Sequence, residues 1–204
     1  MPRISVERVV VGAMGVNCYL VTNLETNACF IVDPGDEAQR IIQKAGERKP
    51  EAVVLTHGHF DHIGAVDEIC AHYGIPCYLH EADAPKLLDP AGNVSAMFGM
   101  PLIQRTKPVT LQGGESIAIA GIELQILHTP GHSEGSICLR LPENQGVITG
   151  DTLFANGYGR TDFADGDMGK LWQSLRMLMR LTPKMITYPG HDAFGVTGRD
   201  PVGE

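Results

Sequence analysis

The stretch LTHGHFDHIG, residues 55–64, sets His57, His59, Asp61 and His62 directly behind the apolar run AVVLT at 52–56. Imidazole and carboxylate are the side chains that zinc, iron and manganese take from a protein. Four such groups at the mouth of an apolar run point to a metal site rather than a polar loop. The same placement recurs. IELQILHT at 122–129 leads through PGH to His132, GVITG at 146–150 to Asp151, and KMITYPG at 184–190 to His191. No cysteine stands at a ligand-like position. An H-x-H segment running on from a strand end can set two imidazoles on one ion, and Asp61 and His62 then point past that ion. Seven candidates exceed the four ligands of one tetrahedral ion. They suit two ions about 3.5–4 Å apart that share a carboxylate. Lone histidines such as His72 and His80 read as surface or packing residues, and His128 as a packing or supporting one.

These residues need a scaffold that aims strand ends at one point. The β-rich runs ISVERVVV (4–11), NCYLVT (17–22) and ACFIVD (28–33) open the chain, separated by turn residues. DPGD at 33–36 reads as a turn, with Asp36 capping a helix over 38–48. After the buried strand 52–56, HIGAVDEICAHYG (62–74) predicts a helix with Ile63, Val66, Ile69 and Cys70 inward and Gly74 as its stop. Strand 75–80 and a short helix at 81–88 follow. Residues 89–107 lack a period, which marks a functional loop or a hidden short helix. Strands return at 109–111, 116–120, 122–129, 136–141 and 146–150. An amphipathic helix spans 167–181, with Leu171, Leu175 and Leu178 on one stripe, and a last strand spans 184–190. No GxGxxG follows the first strand, and many neighbouring strands have no helix between them. Two packed mixed sheets with helices outside fit this count better than a doubly wound sheet. The two halves resemble each other in element order.

A chain of 204 residues with 43% hydrophobic and 20% charged residues reads as one globular domain over 1–204. A net charge of −8 and the lack of any Lys/Arg run argue against nucleic acid as a partner. Nothing resembles a signal peptide or the roughly 20 apolar residues of a membrane span. Five cysteines without a CxxC pair suggest buried free thiols in a cytoplasmic protein.

THGHFDH (56–62), TPGHS (129–133), GDTLF (150–154) and PGH (189–191) resemble, in order and context, the motifs of the metallo-β-lactamase superfamily. The resemblance implies an α+β fold, a four-layer αβ/βα sandwich of two mixed β-sheets flanked by helices, with the site along one edge. It assigns His57, His59 and His132 to one metal and Asp61, His62 and His191 to a second, bridged by Asp151. Within the superfamily, GYGRTDFADGD (157–167) is similar to a segment of both the glyoxalase II-like hydrolases and the persulfide dioxygenases. Flavodiiron proteins carry Glu where His59 stands, and many β-lactamases carry Cys where Asp151 stands. The acidic balance and short chain disfavour the tRNA-processing nucleases.

The implied reaction is hydrolysis of a hydroxyacyl thioester such as S-D-lactoylglutathione. Two divalent ions, zinc first and otherwise iron or manganese, would lower the pKa of a shared water to give a hydroxide nucleophile. Asp61 would hold the second ion and orient that hydroxide. The alternative is a persulfide dioxygenase acting on glutathione persulfide, with one Fe(II) on His57, His132 and Asp151. Lactone or phosphodiester hydrolysis is a lesser alternative, and a metal-stabilised binding module has little support. The partner is a small thioester or glutathione-derived molecule. Arg160 is a candidate contact for a substrate carboxylate, although Arg160 and Asp162 read first as a loop brace. Met97, Phe98 and Met100 either cover the substrate or fill the core. With thirteen residues after His191, the C-terminal helical domain of long glyoxalase II enzymes is not expected, which leaves the thiol carrier open.

Overall fold

The computed structural model describes residues 2–181, 185–192 and 195–196. Its first half holds β1 (Ile4–Val11), β2 (Val16–Asn23), β3 (Ala28–Val32), α1 (Ala38–Ala45) and β4 (Lys49–Val54). These are followed by α2 (Phe60–Ile63), α3 (Val66–Tyr73), β5 (Cys77–His80) and β6 (Val109–Leu111), with short 3-10 turns at Ala84–Leu88 and Ser95–Phe98. The second half holds β7 (Ser116–Ile119), β8 (Ile122–His128), β9 (Ile137–Arg140), β10 (Val147–Gly150), β11 (Leu153–Phe154) and β12 (Gly157–Tyr158). Helix α4 (Met168–Arg180), β13 (Ile186–Pro189) and β14 (Gly195–Val196) complete the described elements.

Two six-stranded sheets result, ordered β1-β2-β3-β4-β5-β6 and β14-β13-β10-β9-β8-β7. Both are mixed: β3, β4, β5 and β6 run parallel, as do β10 and β13, and the other pairs are antiparallel. Alternation along the strands sorts the side chains into layers. Leu20 and Ile31 face α1 and α3, where they pack with Ile41, Val66 and Ile69. Their neighbours Val21, Phe30 and Val32 turn the other way and meet Leu124, Ile126 and Leu139 of the second sheet. On that sheet's far side, Leu127, Cys138 and Val147 bury Leu171, Leu175 and Leu178 of α4. Each of those leucines contributes about 1.5–3 kcal/mol through burial. The layers are therefore helix, sheet, sheet, helix, as the resemblance implies. All five cysteines are free and buried.

The structure corrects several boundaries. Asp36 does not cap α1; its Oδ1 accepts from the Glu37 N–H, and Glu37 enters the helix in a left-handed conformation. That helix stops at Ala45, short of 48, where Gly46 leaves helical geometry. The helix expected over 62–74 is two helices, because Ala65 leaves helical geometry, φ −103° and ψ 8°, and its N–H bonds to Pro34 rather than continuing α2. Gly64 is glycine for space, since a Cβ there would sit 2.1 Å from the Gly35 carbonyl oxygen. Gly74 ends α3 as expected. The 89–107 segment does hide a short helical turn, and its Met97, Phe98 and Met100 are exposed rather than core. Lys184, the first residue of the last expected strand, lies outside the described residues.

Candidate metal centre

All seven candidates meet at one edge of the sandwich. His57 and His59 follow β4, with Asp61 and His62 on α2, while His132 follows β8, Asp151 follows β10 and His191 follows β13. Three overlapping sets of ligand atoms lie within 4.8 Å of one another: His57, His59 and His132; His57, His62 and Asp151; and Asp61, His62 and His191. His59 Nδ1 faces His132 Nε2 at 2.9 Å. Asp151 lies between the outer sets, its Oδ2 3.6 Å from His132 Nε2 and 3.5 Å from His191 Nε2, its Oδ1 3.4 Å from His62 Nε2. Asp61 Oδ2 is 3.4 Å from His191 Nε2.

Hydrogen bonds between strand ends fix the loops. The Ile137 N–H bonds to the Thr56 carbonyl, just before His57, and the Gly190 N–H to the Gly150 carbonyl, just before Asp151. From the first sheet, Asn17 Nδ2 and Tyr19 OH both donate to the Pro189 carbonyl, two residues before His191. Gly190 has to be glycine for space: a Cβ there would lie 2.2 Å from Asp151 Oδ1 and 2.7 Å from His62 Cε1.

The outer partners choose the tautomers. Asp33 Oδ2 accepts from Thr56 Oγ1 and from His62 Nδ1–H, at 2.7 and 3.0 Å. The Thr56 oxygen then accepts from His57 Nδ1–H at 3.1 Å, and His132 Nδ1–H donates to the Arg160 carbonyl at 2.8 Å. Each ring thus turns its Nε2 inward. The buried Nε2 atoms of His57 and His62 and the Oδ1 of Asp151 have no hydrogen-bond partner in the protein. Buried polar atoms without partners are costly, and a lone pair aimed at other lone pairs is what a cation satisfies. The donor set, nitrogen and oxygen without sulfur, fits one or two divalent ions and leaves zinc, iron and manganese open.

Two carboxylates absent from the sequence reading hold this arrangement. Asp33 also accepts from the Thr56 N–H at 2.7 Å and stands in a left-handed conformation, φ 49°, a strain that such sites carry. Asp83, fully buried, accepts from the N–H groups of Gly58 and Gly135 and from the Ser133 hydroxyl, each at 2.8 Å. It thereby ties the His57–His59 loop to the turn after His132. Lys86 Nζ, 3.1 Å from Asp83 and 2.6 Å from Asp165, balances the charge. The available signal was an aspartate at a strand end before Pro-Gly for Asp33. Asp83 left none beyond its place at a helix start.

Electrostatics divide the cluster. Burial and the neighbouring imidazoles hold His57 and His59 well below the usual histidine range. His62 moves the other way: burial opposes protonation, but Asp151, Asp61 and Asp33 override it and raise the imidazole well above its usual value. His191 is raised against burial by Asp61 and Asp151. The Asp151 and Asp61 carboxyls are held low by the histidines despite burial.

The sequence profile described as the Metallo-beta-lactamase superfamily matches residues 11–191. The chain belongs to that superfamily. It is 35% identical over 201 residues to the hydroxyacylglutathione hydrolase GloC of Haemophilus influenzae, covering 96% of this chain and 94% of that one. The crystal structure of the BLEG-1 B3 metallo-beta-lactamase is similar, with a TM-score of 0.90 and 33% identity over 95% of each chain. That of TTHA1623 in a di-iron-bound form gives 0.81 and 32%, over 94% of this chain and 95% of that one. Family and site chemistry make this superfamily member a metallo-hydrolase.

A cleft of about 400 Å3 opens over the centre, with Asp61, Asp151 and His191 at its floor and Phe60, Phe154 and Phe163 among its walls. Arg160 lines it, but its guanidinium grips Asp162 at 2.5 and 2.6 Å and covers the Phe163 ring. The brace expected of this pair is thus present. His80 and His128 stack on each other at 4.1 Å, and the His128 Nε2 bonds to the Glu134 carbonyl; neither joins the cluster. No helix among the described residues is long and apolar enough to cross a membrane.

Proposed function

We propose that the protein hydrolyses thioesters of the hydroxyacylglutathione type at a two-metal centre. The observation that carries this reading is the division of seven ligand atoms into two outer groups with Asp151 between them. His57, His59 and His132 would hold one ion, and Asp61, His62 and His191 the other. When bound, two divalent ions supply a water ionised near neutral pH and positive charge for the oxyanion. Asp61, kept ionised by His62 and His191, sits at the cleft floor where its free oxygen can hold and orient the attacking water. The carbonyl carbon gains the water oxygen, and the C–S bond breaks with its electron pair on sulfur. The products are a carboxylate, a thiol and one proton. A thiolate leaves without a strong general acid, so no residue is assigned that role.

The similarity to GloC supports the thioester, and the fit to N/O ligands supports zinc, with iron or manganese as substitutes. A second reading, oxidation of a persulfide at one iron on His57, His132 and Asp151, is favoured by the 3.6 Å approach of His132 to Asp151. Metal analysis of purified protein decides between them when joined to two assays, S-D-lactoylglutathione hydrolysis and O2 uptake with glutathione persulfide. Two ions with hydrolysis are expected; one iron with O2 uptake overturns the proposal. A β-lactam is the control substrate. The five free cysteines fit a cytoplasmic enzyme, and residues 1–204 are taken as one domain acting on a small molecule, without nucleic acid or membrane.

A further inference from the structure

Beside the metal cleft runs a groove of about 300 Å3, whose walls include Val11, Val16 and Leu102. The two spaces adjoin, since Met14, Phe60, Asp61 and Phe98 line both. Met14 rises from the β1–β2 turn on one side. Phe98 and Met100 rise from the 3-10 turn and the residues after it on the other, with the Phe98 ring 5.0 Å from Phe60. These three apolar side chains are 49%, 45% and 61% exposed. Large exposed apolar groups gathered at a groove adjoining an active cleft mark a ligand surface, and methionine adapts to varied shapes.

The charges say what kind of ligand. No Lys, Arg or His lines the groove among the described residues, and its acidic members are Asp36 and the ligand Asp61. In the metal cleft the one guanidinium, that of Arg160, is already paired with Asp162. A glutathione arm carries two carboxylates beside its one ammonium, and in the groove neither carboxylate would meet a cation among these residues.

We infer that the groove receives a neutral aliphatic or aromatic arm of the thioester, so that apolar-armed thioesters are hydrolysed faster than S-D-lactoylglutathione. This rests on the thioesterase reading above. The arm's carbonyl end lies over the metals, and the arm runs past Asp61 between Met14 and Phe98. Acyl group and thiol share this chemistry, and two substrate series separate them.

The test uses full-length, metal-loaded protein. In one series the acyl chain on N-acetylcysteamine lengthens from two to eight carbons; in the other, the thiol of an acetyl thioester does. S-D-lactoylglutathione is run beside them. In one of the two series kcat/KM is expected to rise about three- to fourfold per added methylene until the groove is full, the transfer value of a CH2 group. The best member should exceed S-D-lactoylglutathione. Met14→Ser and Met100→Ser, on exposed positions that the core does not need, should each lower the ratio of longest to shortest substrate at least fivefold. Flat series in an enzyme that hydrolyses the acetyl thioester overturn this inference and leave the thioesterase reading standing. A ratio unmoved by both substitutions also overturns it. Hydrolysis of no thioester at full metal loading overturns both.

Discussion

Around His57, His59 and His132 the site is built from imidazoles and backbone, whereas around His62 and His191 the carboxylates of Asp33, Asp61 and Asp151 press in. The first group is held mainly through Asp83, which braces Gly58 and Gly135, and the second through Asp33, which grips His62. The difference teaches that the two halves load differently. The first presents neutral lone pairs at His57 and His59, so a cation there displaces no proton from them. In the second the carboxylates raise His62 and His191, so protons compete with a cation there.

The largest effect comes from removing a residue common to both halves. Asp151 lies 3.6 Å from His132 of the first group and 3.5 Å from His191 of the second. Asp151→Ala should lose both ions and lower hydrolysis by more than the 10–100-fold, roughly, that outer partners cost. His191→Ala should keep one ion per chain. Equal metal content in the two variants, measured by elemental analysis, would erase the distinction between the halves. Asp61→Ala should abolish thioester hydrolysis; near-normal turnover with metal content intact counts against its role in orienting water.

Exchanging the braces comes next. Asn at position 33 must turn an amide N–H toward either the Thr56 N–H or His62 Nδ1–H, both of which donate to Asp33 now. Asp33→Asn should weaken the second ion about 10–100-fold and the first ion less. Asp83→Asn should reverse that order, and it should also lower Tm, because it uncouples a buried charge from Lys86. Competition with a chelator at graded concentrations reads both ions.

Protonation gives a smaller and graded effect. His62 and His191 have raised values in the metal-free protein, so protons compete with the second ion from neutral pH downward. His57 and His59 have lowered values and stay neutral across that range. Calorimetric metal titration at pH 7 in buffers of different ionisation enthalpy should show more protons released with the second ion than with the first. On acidification the second ion should leave first; loss of both together contradicts the asymmetry. The smallest effect belongs to Arg160→Ala. It removes an exposed side chain while leaving the backbone carbonyl that holds His132, so metal content by elemental analysis and Tm should not change.

The ligands were legible in the sequence because each follows a strand that periodicity reveals, and because four of them crowd into HGHFDH. The braces were not. Asp33 sits in DPGD, which has the composition of any tight turn, and Asp83 in EADAPK, which has that of any helix start. Their roles come from loops far apart in sequence, such as Gly58 and Gly135 on one carboxylate. The break between α2 and α3 was equally hidden, since the apolar period runs through Gly64 and the interruption is the bond of the Ala65 N–H to Pro34, distant in sequence. The two-residue strands β11 and β12 are too short to carry a period at all.

The central claim is that hydrolysis needs both halves of the centre. Its most direct test is titration of metal-free protein with Zn2+ while thioester hydrolysis is followed. The expected result is little activity through the first equivalent and a rise that ends at the second. Full activity at one equivalent per chain would contradict it.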